Sequence, residues 1–516
     1  MYKTFTVTVK FVPRILCRCK TGLSFSDLSV HTLAMDAAHL FSLADSDAFG
    51  FDLDHTLAKF NLVENFRLTY SCVAEYLISE RGYSSELRQD LNIHKDFCTK
   101  GLVLDTPKGN ILKLAYDGTV LRASHGTRMM QRSEVLELYG DTKVWEHFSY
   151  LRDNFNSDGN NFRIFENYFD MPGIVISARI VDIIDKKAGK PQEKYTFWED
   201  VISGFINAYR YQSFSENSGG YFPELKKSPE LYYRKCSAKA KNWLKSLREQ
   251  KKFVFLMTSS FVDFATHTLE FVLGEDWKSY FDLCVFYARK PSFFEDKRPF
   301  LRLDGNLEKE PLTDLQLHGH YSQGNAEELS KFIGKVTGKS DPKIVYFGDS
   351  VRSDVFPTKS KVNWNVVLII EEMEAEGYTL HDVNVSRDAD NDGEEPRHKR
   401  RRHEDVCLST LDPLEKDYLL SKEWGSFFTD KANPRLDPDN HKGPHRHMNT
   451  FWGWAISQYS DIAIPNIEYI TELPLDHKFW SFGPGSRSQD MLGFHPGVPL
   501  SLQKYEQEND GCVTKI

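Results

Sequence analysis

Five short apolar runs recur along the chain, and each stops abruptly at polar residues. Ala48-Phe49-Gly50-Phe51 ends at Asp52, and Phe253-Val254-Phe255-Leu256-Met257 ends at Thr258-Ser259-Ser260. Leu283-Cys284-Val285-Phe286-Tyr287 ends just before Arg289-Lys290, and Ile344-Val345-Tyr346-Phe347 ends at Gly348-Asp349. The last, Val366-Val367-Leu368-Ile369-Ile370, ends at Glu371-Glu372. Uninterrupted apolar runs of this length are the pattern of strands buried on both faces. Helical stretches, such as that from Phe261 to Phe271, separate the runs, so the chain predicts an open, parallel α/β sheet. Ligands of such sheets bind beyond the carboxyl ends of the strands. The polar residues that end the first four runs therefore fall to one crevice.

Nearly two hundred residues separate the first run from the second. They carry hairpin signals from Gly101 to Leu121, with turns at Lys108-Gly109-Asn110 and Asp117-Gly118, then helical stretches at Ile174 to Ile184 and Trp198 to Tyr211. The expected organisation is a core of residues 35–60 and 245–380, with residues 61–244 inserted as a cap and the hairpins near 101–122 belonging with the core. Residues 384–405 form a mixed-charge block that buries too little apolar surface to offset the entropy of ordering, and a disordered loop is expected there. Aromatic residues resume after it (Trp424, Phe427, Phe428, Phe451, Trp452, Trp454), so residues 406–516 predict a folded C-terminal extension packed on the core. Residues 1–34 are basic and acid-poor. We read them as an extension before Met35, in preference to a mitochondrial transit peptide.

At 516 residues the chain exceeds one ordinary core. No apolar run reaches the roughly 18 residues that a membrane-spanning helix needs. A formal charge of −9 argues against a nucleic-acid binder but leaves room for a local anion site. Eight scattered cysteines read as free thiols in a reducing compartment, which points to the cytoplasm. Asp388-x-Asp390-x-Asp392-Gly393 imitates the start of a calcium loop, but position twelve is Lys399 and Pro396 interrupts it, so no calcium is expected. His441, His445 and His447 lack a cysteine or acid set at metal spacing and read as a loop.

The candidate chemistry lies in Asp52-Leu53-Asp54-His55-Thr56. A carboxylate at the end of a buried strand can attack phosphorus and split one hard displacement into two easier ones. A second carboxyl two residues on, Asp54, can protonate the leaving oxygen and later take a proton from water. Mg²⁺ prefers oxygen ligands and keeps several waters; Asp52, Asp349 and the main-chain carbonyl of Asp54 can supply the protein's share. Thr258 or Ser259 offers a hydroxyl to phosphate oxygens, Lys290 a positive charge, and Asp354 can orient Lys290 or a metal-bound water. Thr56 supports the turn.

These segments resemble a known family. They are Phe49 through Ala58, Gly101 through Thr106, Gly109 through Lys113, Ala288 through Phe294, and Gly348 through Asp354. Together they are similar to the haloacid-dehalogenase superfamily of hydrolases. More closely, they are similar to its cytosolic purine 5′-nucleotidase family and the nucleotidase-domain-containing relatives. The resemblance runs from about Ala48 to Glu372. It implies a Rossmann-like, doubly wound parallel sheet with a large inserted cap. It also implies a nucleophile at Asp52, a general acid at Asp54, phosphate contacts at Thr258 and Lys290, and Mg²⁺ held by Asp52, Asp54 and Asp349. The implied substrate is a small phosphate ester, a nucleoside monophosphate first among them, with neither nucleic acid nor membrane as a partner; a homo-oligomer is compatible with it. The chain departs from the family's purine enzymes at Ser259, where they carry Asn, and around Ile202 and Ile206, where theirs are charged. Two rivals keep the same fold: a binding or scaffold protein without turnover, and a phosphotransferase.

Overall fold

In the computed structural model, which describes residues 40–140, 144–376, 412–431 and 447–481, the five apolar runs become strands of one nine-stranded sheet. In chain order its strands are β1 (Ala48–Phe51), β2 (Phe253–Met257), β3 (Leu283–Phe286), β4 (Phe300–Asp304), β5 (Leu307–Pro311), β6 (Gly319–Gln323), β7 (Ile344–Gly348), β8 (Asn365–Ile369) and β9 (Ile462–Ile464). Their order across the sheet is β5-β4-β6-β3-β2-β1-β7-β8-β9. From β6 to β9 all neighbours pair in parallel. β1 is central, with Phe51 opposite Leu256 of β2 and Phe347 of β7. Asp52 thus leaves the sheet between the ends of its two neighbours.

The sheet departs from the all-parallel expectation at one edge, where β4 and β5 form an antiparallel hairpin. The physical reason is solvation. β4 is buried only at Phe300 and then alternates half-buried and exposed positions, and β5 is mostly charged, which suits an edge strand that must resist pairing with other chains. At the other edge, β9 comes from the C-terminal extension, which therefore contributes a strand to the sheet.

Helices cover both faces: α1 (Ala238–Glu249), α2 (Val262–Val272), α3 (Ala326–Thr337) and, in the extension, α4 (Phe451–Tyr459). Alternate residues of the strands point to opposite sides. Phe49, Phe51 and Phe347 meet Trp243 of α1 and the apolar face of α2, whereas Phe255 and Tyr346 meet Leu329 and Ile333 of α3. Gly50 lies where these layers are tightest. A Cβ there would sit 2.2 Å from the Phe255 ring.

The 101–121 hairpins pair with no strand of this sheet. They form a second, antiparallel sheet in the order Arg128–Met129, Val120–His125, Asn110–Leu114, Leu102–Asp105, Phe162–Phe165. Gly109 makes the first of the two expected turns with φ of 63° and Gly118 the second with φ of 87°, a region other residues rarely enter. Helices Leu62–Arg81, Pro172–Ala188 and Trp198–Ala208 pack beside it. Phe427, Phe428, Phe451 and Trp452 of the extension join one apolar cluster with Val103 and Leu112 of the second sheet and with Val366 and Leu368 of β8.

One polar contact of the extension is pH-sensitive. Glu376, just past β8, accepts hydrogen bonds from the Ser426 hydroxyl at 2.7 Å and the Phe427 amide at 2.6 Å. Burial pushes its carboxyl up to about 7, against those two bonds. The folded chain therefore binds a proton here that the unfolded chain releases near the ordinary value of 4.5. This group's contribution is full at low pH and is lost as pH rises towards about 7. Glu376→Gln should flatten the pH dependence of the thermal midpoint between about pH 5 and pH 8.

Among the described residues, no helix is long and apolar enough to cross a membrane. Cys72, Cys98, Cys236 and Cys284 are free. The 1–34 extension, Met35, the 384–405 block with its Asp388 motif, His441, His445 and the cysteines at 17, 19, 407 and 512 lie outside the described residues.

Candidate active site

Asp52 is placed by β7: its amide donates to the Phe347 carbonyl at 2.9 Å. The chain then turns tightly. The Leu53 amide donates to Asp52 Oδ1, and the Leu53 carbonyl accepts from the amides of Leu57 and Ala58. His55 takes a φ of 56° within this turn, and its ring packs among Phe60, Tyr168 and Phe169 at 4.4 to 5.0 Å between centroids. Burial, with Lys100 adding to it, holds His55 well below the ordinary histidine value. It is therefore a neutral wedge that fixes the turn between the two carboxylates.

Lys290 reaches the same point from β3. Its Nζ lies 2.8 Å from Asp52 Oδ1 and 2.6 Å from Asp354 Oδ1, and donates to the Tyr346 hydroxyl at 3.0 Å. Tyr346 in turn donates to the Met257 carbonyl. The loop that delivers Lys290 is strained, with Tyr287 at φ 45° and Arg289 at φ 59°. Each such residue costs roughly 1–2 kcal/mol, which surrounding bonds must offset. Here Tyr287 donates to the Ser260 carbonyl, Ala288 to the Thr258 carbonyl and the Lys290 amide to the Ser259 hydroxyl.

Asp349 and Asp354 follow β7. The Ser350 amide donates to Asp354 Oδ2, and Gly348 gives Asp354 room, since a Cβ on it would lie 2.5 Å from that of Asp354. Asp354 sits in a wide helical turn, Val351–Val355. The second sheet secures this segment from outside. Glu166, just after Phe162–Phe165, accepts from the Ser350 hydroxyl at 2.5 Å and the Val351 amide at 3.0 Å.

Asp54 accepts from the Ser260 hydroxyl at 2.5 Å through Oδ2, while its Oδ1 is buried without a hydrogen-bond partner. The Thr56 hydroxyl and the Lys100 ammonium are likewise buried without one, Lys100 lying 3.6 Å over the Tyr168 ring. Thr258 is fully buried and its hydroxyl accepts from the Ser260 amide, so it braces its own turn.

Burial dominates the electrostatics. It pushes Asp52 up to about 7, with Lys290 opposing and Asp354 and Asp54 adding. It pushes Asp54 up to about 6, with Ser260 and Lys290 opposing. Asp349 stands well above the usual carboxylate range because it is buried, Lys100 opposing and Asp354 and Asp52 adding. Burial pulls Lys290 down, but Asp354 and Asp52 outweigh it and hold the ammonium above the ordinary lysine value.

Asp52, Asp349 and Asp354 bring carboxylate oxygens within 4.8 Å of one another. Lys290 is the cation in direct contact with two of them. Three buried carboxylates, with Lys290 in contact with two of them and Lys100 opposing the third, leave negative charge that a hard, oxygen-seeking divalent cation would neutralise, so the donor set fits Mg²⁺. The structure thus brings Asp52, Asp54, Ser259, Lys290, Asp349 and Asp354 together at the carboxyl ends of β1, β2, β3 and β7, whereas Thr258 and Thr56 line the turns there. Sequence reasoning passed over Ser260, Tyr346, Glu166 and Lys100. A hydroxyl-bearing Tyr346 inside an otherwise apolar run was the one local signal among them.

The sequence model of the 5′ nucleotidase family matches residues 37–418 of this chain. The chain is 41% identical over 476 residues to 5′-nucleotidase domain-containing protein 1 of Homo sapiens, covering 91% of this chain and 99% of that protein. It is 40% identical to the Bos taurus protein of the same name over 474 residues, covering 90% and 98%. A more distant relative, 5′-nucleotidase domain-containing protein 2 of Homo sapiens, is 28% identical over 353 residues, covering 66% of this chain and 64% of that protein.

Proposed function

The chain belongs to the 5′ nucleotidase family, and from that premise we propose that it is a Mg²⁺-dependent phosphohydrolase of the haloacid-dehalogenase type. In this reading it releases phosphate from nucleoside monophosphates through a phosphoaspartate on Asp52. Residues 61–244, apart from the hairpins near 101–122, act as its cap, and the free thiols suit a cytoplasmic protein. The observation that carries the reading is Asp52 at a buried strand end, 2.8 Å from Lys290, with the free Oδ1 of Asp54 two residues on.

The steps follow from the residues. Asp52, whose ionised form Lys290 favours against burial and its carboxylate neighbours, attacks phosphorus in that form, and the bond from phosphorus to the nucleoside oxygen breaks. Asp54, raised to about 6 by burial, keeps near neutrality a protonated fraction that an ordinary aspartate lacks, and donates that proton to the leaving oxygen. The Asp54 carboxylate then takes a proton from water, which attacks the phosphoaspartate, frees phosphate and restores Asp52. Lys290 balances charge on the phosphoryl oxygens throughout. Asp52, Asp349 and the Asp54 carbonyl would hold Mg²⁺, which supplies further charge neutralisation at those oxygens.

The test is phosphate release from a panel of nucleoside monophosphates and sugar phosphates with and without Mg²⁺. Metal-dependent release from nucleotides is expected; no release from any of them would overturn the reading. Ser260→Ala should lower kcat about 10- to 100-fold with KM little changed, because the Asp54 carboxyl loses the bond that aims it while substrate contacts persist. Steady-state kinetics on the best substrate checks this.

A further inference from the structure

Among the described residues, one lysine ammonium is buried without a hydrogen-bond partner, that of Lys100, a residue only 4% exposed. Its place is closely determined. The next residue, Gly101, has φ of 86°, and its amide donates to the Phe165 carbonyl at 2.7 Å. Lys100 therefore leaves the chain just before strand Leu102–Asp105, against the stretch from Phe165 to Tyr168. Its Nζ lies 3.6 Å over the Tyr168 ring. That ring is itself fixed: its hydroxyl donates to Glu372 Oε2 at 2.6 Å, and it packs 4.7 Å from the His55 ring. Glu166 of the same stretch holds Ser350 and Val351, so the ammonium and the segment after β7 share one support.

The carboxylates at these strand ends are held unequally. Asp52 accepts from the Leu53 amide and pairs with Lys290. Asp354 accepts from the Ser350 amide and also pairs with Lys290, and Asp54 accepts from the Ser260 hydroxyl. Asp349 has no such bond among the described residues, yet it stands with Asp52 and Asp354 in the group that can hold a metal ion. Lys100 is the first charge to oppose burial at Asp349, whereas Arg352 precedes it at Glu166 and Lys59 precedes it at Glu371. An ammonium with unused donors and a carboxylate without a donor are chemical complements. Carboxylates that ligate metals are oriented by such outer partners, and loss of one costs about 10- to 100-fold in metal affinity.

We propose that Lys100 is the positioning residue of Asp349, orienting that carboxylate by hydrogen bonding so that it faces the divalent cation. This rests on the Mg²⁺ part of the phosphohydrolase reading above. The two lysines then divide the carboxylates: Lys290 serves Asp52 and Asp354, and Lys100 serves Asp349. A positive charge with no orienting role would only repel the cation, so the sign of the effect tests the assignment.

The experiment is titration calorimetry of Mg²⁺ binding to the purified protein, which needs no substrate. Lys100→Met, which fills similar space without charge or donors, should weaken binding about 10- to 100-fold. Lys100→Arg, which keeps both, should stay within about threefold of the parent. Unchanged or tighter binding by Lys100→Met overturns the proposal, as does a loss in Lys100→Arg as large as that in Lys100→Met. In turnover, Lys100→Met should raise the Mg²⁺ concentration for half-maximal phosphate release by the same factor, with the rate at saturating Mg²⁺ little changed. A fallen maximal rate with unchanged Mg²⁺ demand overturns it. Weaker Mg²⁺ binding by Lys100→Met supports the positioning role even if no phosphate is released, an outcome that sinks only the phosphohydrolase reading. A parent that binds no Mg²⁺ overturns both.

Discussion

Asp52→Asn is expected to lower phosphate release about 10⁴-fold or more while leaving the fold intact. Asn is nearly isosteric, and its side-chain oxygen can still accept from the Leu53 amide, as Asp52 Oδ1 does at 2.8 Å. Lys290 keeps its 2.6 Å ion pair with Asp354, so no buried ammonium is stranded. What disappears is the charged oxygen that, in the proposed mechanism, forms the bond to phosphorus. The measurement is phosphate release by the purified variant, alongside a thermal midpoint within a few degrees of the parent. A variant as active as the parent would sink the mechanism while leaving the family untouched.

Asp430→Ala is expected to give the largest loss of stability, about 3–5 kcal/mol in chemical unfolding. Asp430, in the C-terminal extension, accepts from Lys113 Nζ at 2.8 Å and from two nitrogens of Arg122 at 2.8 and 2.9 Å. Burial would raise its carboxyl, but Lys113 and Arg122 outweigh burial and hold it below the usual range. A depressed carboxyl contributes stability that is full above the ordinary aspartate value and fades as pH falls through its folded value. The pair therefore matters at neutral pH and weakens in acid. Removing Asp430 leaves Lys113 buried, with the Trp424 carbonyl as its remaining partner of those two. A double change, Asp430→Leu with Lys113→Met, should recover part of the loss, because the buried Lys113 charge is removed together with its partner. No recovery would mean that packing, not charge, sets the cost.

The positions of Asp52, Lys290 and Asp349 were legible because strand burial is a local property. A strand covered on both faces must be apolar, and parallel strands end on the same side, so residues just past each run converge. The edges were less legible. β4 alternates, β5 is charged, and β6 reads Gly-His-Tyr-Ser-Gln, so none of them shows an apolar run. β9 has only three residues, too few for a pattern to declare itself. Their place in the sheet comes from neighbours distant in sequence.

By itself the sequence determined the α/β class, the ends of the five inner strands, and which carboxylates and lysine could do phosphoryl chemistry. Each of these follows from hydrophobicity over a few consecutive residues. Only the tertiary structure decided that Ser260 aims Asp54, that Tyr346 seats Lys290, and that Glu166 braces the turn after β7. Those contacts span 206, 56 and 184 residues. A hydrogen bond is made or missed within a few tenths of an ångström, and no local pattern specifies position that finely across such distances.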